Sequence, residues 1–278
     1  MGDLDETLRQ WAEVKELDPL PSERLVGLER RLTGTVVSKG LPKTIRNQND
    51  REAYWRRCPA QAICKQAHQL CGPKCIGFIQ LDVLYGMSEM PDRYRIPQAL
   101  TPDLADEVVW KELMWIEERI QAFVDHGEGV YIWSHIRGNG KTSWGCRLLN
   151  AYALKVALKN QARCRILMIN VPQFLQQLRN SIEDKNTDAY TIRQRIEVAD
   201  VVLWDDIGAE KPSQWVQDQL YGWINYREMH GLSNLYTSNV SLGELGSPYM
   251  LGARIGSRIQ GQALVCEFKG PDRRKDLR

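Results

Sequence analysis

One stretch constrains this chain more than any other. Val130-Tyr131-Ile132-Trp133 runs through Ser134-His135-Ile136-Arg137-Gly138-Asn139-Gly140 into Lys141-Thr142-Ser143. A β-rich run, a glycine-containing loop and then Gly-Lys-Thr at the head of a helical pattern dictate a strand, a tight loop and a helix. In that order, backbone N–H groups of the loop and of the helix N-terminus point at phosphate oxygens. Lys141 supplies a point charge to β- and γ-phosphates, and the Thr142 hydroxyl is placed to bind Mg²⁺. Gly138, Asn139, Gly140 and Ser143 complete the expected cradle. In the pattern G-x-x-x-x-G-K-[ST] the first glycine falls on His135. A side chain is tolerated there if its φ is negative.

A second stretch sharpens the reading. Val201-Val202-Leu203-Trp204-Asp205-Asp206 is an apolar run that ends in two carboxylates. A buried strand with an acid at its C-terminal end is how phosphate-loop enzymes hold Mg²⁺. Asp205 is the expected Mg²⁺-associated acid, and Asp206 is expected to orient or activate the attacking water. Together the two stretches point to nucleoside triphosphate binding, where either alone has a bland counterpart in a core strand with a polar turn.

Strand and helix patterns alternate around them. Strands are predicted at Gly129–Ser134, Arg165–Asn170, Val201–Asp205 and Leu235–Ser238, with helices over 141–158, Pro172–Ser181, Thr191–Ala199 and Ser213–His230. Such alternation predicts an α/β fold, a parallel sheet between helices. Upstream, Leu4, Leu8, Trp11 and Val14 recur at helical spacing over 3–17. Ser22 can cap a short helix carrying Leu25, Leu28 and Leu32. Residues 34–50 read as loop. A helix is expected from Asp103 or Asp106 through Val109, Leu113, Ile116, Ile120 and Phe123 to about Gly127.

Trp204-Asp205-Asp206-Ile207-Gly208-Ala209-Glu210, with Thr237-Ser238-Asn239 after the next strand, resembles the bacterial and phage replicative-helicase loaders, AAA+ proteins related to the replication initiator. The resemblance covers roughly Leu104 to the C-terminus. It implies an AAA+ P-loop ATPase and ATP as the nucleotide. Asn239 becomes the sensor between the two acids and the γ-phosphate. Gly252-Ala253-Arg254-Ile255-Gly256-Ser257-Arg258-Ile259 resembles the segment that carries an arginine finger acting in trans. Arg258 is the candidate and Arg254 the weaker alternative. Arg274, in Asp272-Arg273-Arg274, matches the second sensor arginine. The implied partners are a hexameric replicative helicase, single-stranded DNA and a second copy of the chain. Asp206 stands where many AAA+ enzymes have Glu, one methylene longer, so slow hydrolysis suited to a switch is expected. Arg179, Lys185, Arg193 and Arg195 fall where initiator-type relatives carry a DNA-facing helix. A transposition helper ATPase shares this core, and a nucleotide-regulated adaptor that barely hydrolyses ATP is a second alternative. A plain nucleotide kinase is disfavoured by the acid-pair and Thr237-Ser238-Asn239 segments.

The remaining features lie upstream. Cys58, Cys64, Cys71 and Cys75 fall within eighteen residues, with His68 among them. Four thiols in one short segment suit a tetrahedral Zn²⁺ site better than an iron–sulfur cluster. Seven cysteines, an odd number, with no apolar signal segment after Met1-Gly2-Asp3, predict reduced thiols and a cytoplasmic protein. No apolar run approaches the ~20 residues that span a bilayer, so no membrane role is expected. Between Arg24 and Lys74 eleven basic residues face three acidic ones, a balance that could sit against a phosphate backbone. The expected organisation is a helical, zinc-binding domain over 1–85, a proline-rich connection over 86–103 and the ATPase over 104–278.

Overall fold

The computed structural model describes residues 40–61, 64, 70–96, 100–158, 166–184, 188–210 and 212–273. The helices expected over 3–17 and after Ser22, together with His68, Lys185 and Arg274, lie outside these residues.

Helix α1 (Gln48–Arg57) begins inside the stretch read as loop. Asn47 and Asp50 form a reciprocal capping box that satisfies two N-terminal donors. Then come α2 (Ile76–Gly86), a single turn α3 (Asp92–Arg95), and a 3₁₀ turn (Leu104–Asp106) leading into α4 (Glu107–Glu118). The helix expected to run to Gly127 is interrupted at Arg119, and α5 (Ile120–Asp125) continues it. The sheet-bearing half follows: β1 (Gly129–Trp133), α6 (Lys141–Leu158), β2 (Ile166–Asn170), α7 (Val171–Asp184), α8 (Asp188–Val198), β3 (Val201–Asp205), α9 (Gln214–Met229) and β4 (Ser233–Ser238). Helices α10 (Leu242–Leu245) and α11 (Ala253–Gln262) and strand β5 (Ala263–Glu267) close the described chain. Strand β5 was not anticipated. It sits at the sheet edge, where burial is partial and the apolar alternation weak.

The five strands run parallel in the order β2-β3-β4-β1-β5. Alternate residues face opposite layers, as the two-residue strand period demands. Val130, Ile132, Val201 and Leu203 enter one core with α2, α4, α5 and α6. Tyr131, Val202 and Trp204 enter the other with α7, α9 and α11. The expected parallel sheet between helices is therefore present. Residues read as a connection are packed into this body. The Met168 N–H donates to the Ser88 carbonyl (2.7 Å), and Asn150 on α6 bonds both the Tyr85 hydroxyl and the Tyr94 carbonyl (2.6 Å each). No helix among the described residues is long and apolar enough to cross a membrane.

Candidate nucleotide site

Parallel pairing brings the C-terminal ends of all strands to one edge. Trp133 pairs with Ser238 and Glu267, Asn170 with Asp205, and Trp204 with Tyr236. Open parallel sheets bind ligands at this edge.

The loop after β1 occupies its centre. Gly138 (φ 77°) and Gly140 (φ 102°) take left-handed turns that a side chain resists. Ser134 and Asn139, both buried, staple the loop from inside. The Asn139 amide donates to Ser134 Oγ (2.9 Å), and the Ile136 N–H reaches the same oxygen (3.1 Å). Lys141, also buried, donates from Nζ to the carbonyls of Ile136 (2.8 Å) and Ser134 (3.3 Å) and to Asn139 Oδ1 (3.3 Å). His135, at the position of the missing glycine, is exposed. Its ring lies 3.2 Å from the Asn239 carbonyl, 3.5 Å from Glu244 and edge-on to Trp133. The loop therefore closes without that glycine because the departing side chain points outward.

The acid pair lies beside the loop. Buried Asp205 accepts from Thr142 Oγ1 (2.8 Å) and Thr237 Oγ1 (2.7 Å) on a single oxygen, Oδ1. Thr142 gives its proton to Asp205, so its oxygen lone pairs are left for a cation. This donor set of one hydroxyl and one carboxylate fits the hard-oxygen preference of Mg²⁺. Asp206 turns out of the strand at φ 62°, a left-handed value uncommon outside glycine. Asn239 Nδ2 donates to Asp206 Oδ1 (2.6 Å). Burial first, then the neighbouring Asp205 charge, raise the Asp206 pKa, while Lys141, Arg137 and Asn239 oppose the shift. Gly208 N–H donates to both oxygens of Glu210 (3.1 and 3.0 Å), which closes the turn after the acids.

The structure thus brings Gly138, Asn139, Gly140, Lys141, Thr142, Ser143, Asp205, Asp206 and Asn239 to one edge. Arg258 is bound instead to Glu228 of α9 (2.7 Å), and Arg254 stacks on Tyr221 of the same helix (4.1 Å). Of the basic residues expected to face DNA, Arg179 stacks on Trp215 (5.1 Å), Arg193 reaches Glu197 (3.5 Å) and Arg195 pairs with Glu89. Each described cation of that patch already has a partner.

Cys58, Cys64, Cys71 and Cys75 share one neighbourhood. Cys58 is buried, and its pKa is pushed up to about 11, chiefly by burial, with the other three thiols adding to the rise. Their chemistry suits zinc, yet among the described residues no three donors close to metal-binding distance. The zinc site therefore rests on the donor set alone.

Sequence reading gave no site role to Ser134, used Thr237 only as part of the family segment and read Asp106 only as a possible helix start. Thr237 carried a signal: one pairing step beyond Trp204 and Tyr236 it must stand beside Asp205. Asp106 carried none. Its buried carboxylate accepts from the N–H groups of Lys269 (2.6 Å) and Gly270 (3.0 Å), the first of them 163 positions along the chain.

No protein-family profile matches the chain. The replicative helicase loader DnaI of Bacillus subtilis (strain 168) is 28% identical over 159 residues, covering 53% of this chain and 48% of that protein. The chain thus matches about half the length of this curated relative. A crystal structure of DnaI superposes with a TM-score of 0.52 at 26% identity, over 65% of this chain and 95% of the other. The crystal structure of the DnaC helicase loader gives a TM-score of 0.52 at 18% identity, over 64% of this chain and all of that one, and shows the shared fold. The chain therefore resembles the replicative-helicase loader DnaI in sequence and shares its fold with DnaI and DnaC, in line with the family resemblance read from the sequence.

Proposed function

We propose that the protein is an ATP-dependent loader of the replicative DNA helicase onto single-stranded DNA, an ATP switch with slow hydrolysis. The observation that carries the ATP site is the convergence of Lys141, Thr142, Asp205, Asp206 and Asn239 at the sheet's C-terminal edge. The loader role rests on the likeness to DnaI.

Under this reading the loop amides and Lys141 bind the phosphates. Thr142 and Asp205 are the residues that would hold Mg²⁺, which would neutralise charge on the β- and γ-phosphates. Asp206 orients water, and Asn239 reports the γ-phosphate to the segment behind it. Arg258 serves a neighbouring copy's nucleotide in trans and exchanges Glu228 for phosphate when copies associate. Arg274 is assigned the second sensor role. Cys58, Cys64, Cys71 and Cys75 are the residues that would hold Zn²⁺, which would staple the segment proposed to meet the hexameric helicase. The division into 1–85, 86–103 and 104–278 is part of this proposal.

The test combines two measurements on the full chain. Fluorescent ATP binding should fall on the order of 100-fold in Lys141→Ala, since truncating one partner of a buried charge pair costs about 2–5 kcal/mol. Purified replicative helicase and labelled single-stranded DNA should then form a complex with wild type and ATP, but not with Lys141→Ala. A complex insensitive to both ATP and the substitution would refute the switch. Tight ATP binding with no helicase recruitment would refute the loader role alone.

A further inference from the structure

We infer that Thr237 is a positioning residue that sets both acids of the nucleotide site at once, an inference resting on the ATP-binding reading above. Thr237 is the penultimate residue of β4, and its side chain is buried. Its hydroxyl has one proton to give and two lone pairs to offer. The proton goes to Asp205 Oδ1 (2.7 Å), and a lone pair accepts the backbone N–H of Asp206 (3.0 Å). Its own carbonyl accepts the Ile207 N–H (3.0 Å). One residue therefore grips three consecutive positions, 205, 206 and 207.

The grip has a physical purpose. Asp206 holds a left-handed φ of 62°, a conformation a non-glycine residue keeps only when its surroundings over-determine it. The bonds from Thr237 to the N–H groups on either side of the Asp206 Cα supply that determination. They turn the Asp206 carboxylate away from the strand and toward Asn239 Nδ2, 2.6 Å away. The same hydroxyl shares Asp205 Oδ1 with Thr142 Oγ1. A proton from Thr237 thus fixes which way that carboxylate faces, and through it where the Thr142 lone pairs point. The Thr237 methyl fits the remaining space: a Cβ placed on Gly145 of α6 would lie 3.3 Å from Thr237 Cγ2. Valine matches this shape and removes both hydroxyl bonds. Serine keeps the hydroxyl and removes only the methyl.

This pair of substitutions separates positioning from packing. In Thr237→Val, fluorescent ATP binding without Mg²⁺ should stay within about twofold of wild type, because Lys141 and the loop are untouched. The gain in affinity on adding Mg²⁺ and the single-turnover hydrolysis rate should each fall about 10- to 100-fold, the range for losing bonds to charged groups. Thr237→Ser should restore both to within about threefold. If Thr237→Val does not fold, Thr237→Cys, with similar volume and a weak donor, should fall between serine and wild-type behaviour on one side and full loss on the other. The inference is overturned if wild type binds and hydrolyses ATP while the valine or cysteine variant keeps its Mg²⁺ dependence and rate. It is equally overturned if serine fails to rescue, which would make the methyl contact the determinant. A wild type with no Lys141-dependent ATP binding would remove the nucleotide reading itself, and the inference with it.

Discussion

Strands β3 and β4 carry a polar network at each end, and the two ends are built on opposite terms. At the N-terminal end the fully buried Arg227 of α9 has five N–H groups and five acceptors. These are the carbonyls of Ile196 (2.6 Å), Ala199 (2.8 Å), Asp200 (3.4 Å) and Ser233 (2.6 Å), and Asn234 Oδ1 (2.7 Å). Asn234 Oδ1 also accepts the Trp204 indole N–H (3.0 Å). At the C-terminal end two carboxylates stand side by side, one on a left-handed backbone, with hydroxyls and a lysine around them. The first network satisfies one charge completely with neutral dipoles. The second keeps like charges together and leaves their repulsion for a bound cation to relieve. Ends of the same strands can therefore be told apart as structural and functional by what remains unbalanced.

The largest effect should come from breaking the balanced end. Arg227→Leu removes five donors from the interior and leaves Asn234 Oδ1 with the Trp204 indole and the Asp200 carbonyl with the Ser233 N–H; removing the charged partner of a buried network costs about 3–5 kcal/mol. The melting temperature should drop on the order of 10 °C for a chain of this size. ATP affinity measured well below the melting transition should remain near wild type. A Tm shift of less than a few degrees would show that water replaces the lost donors and that this end is not the clamp it resembles.

A smaller and opposite response is expected at the unbalanced end. Asp205→Asn keeps the shape and an acceptor for Thr142 and Thr237 while removing one of two adjacent negative charges. Functional sites often carry such strain at the expense of stability. The Tm should hold or rise. The Mg²⁺-dependent gain in ATP affinity should fall at least about tenfold, the cost of one charge-assisted ligand. A substantial loss of Tm would mean that Asp205 acts as a structural acceptor, like the oxygens around Arg227, and would erase the contrast.

The two ends also differ in how far the sequence revealed them. The phosphate loop and the acid pair were legible because their chemistry is local. Gly140-Lys141-Thr142 sits on a strand–helix junction, and Asp205-Asp206 ends an apolar run. Sheet alternation then followed from the two- and three-to-four-residue periods. Arg227 looked like any arginine on a helix, because four of its five acceptors are main-chain carbonyls whose positions depend on α8, β3 and β4 meeting. Asp106 was silent for the same reason, since its partners lie at Lys269 and Gly270. Strand β5 escaped because an edge strand needs little alternation, and the packing of residues 88–95 against α6 and β2 escaped because prolines there suggested only a connection. The cysteines were conspicuous by spacing, but spacing does not say whether thiols close on one point. The arginines near the C-terminus were legible only through family resemblance, and the structure gives Arg258 an internal partner in Glu228.

The finest test asks whether the unbalance is electrostatic. Burial and the Asp205 charge raise the Asp206 pKa above its unfolded value. The folded protein then holds this proton more tightly than the unfolded chain does. The contribution of Asp206 to stability is thus fully present below the ordinary aspartate range. It is lost as pH rises through that range to the raised folded value. Above this window the ionised carboxylate is a net burden, and Asp206→Asn, which removes the charge but keeps an acceptor for Asn239, should melt at a higher temperature than wild type. Below the window both side chains are neutral and the two melting curves should converge. Hydrolysis has the reverse sign, because orienting water requires the ionised form. Its acid limb should lie above the usual aspartate range in wild type and should be absent in the already slow asparagine variant. A stability difference independent of pH between about 3 and 8 would assign the benefit of asparagine to its ease in the left-handed conformation. The contrast between the two ends would then be one of backbone strain, with charge playing no part in it.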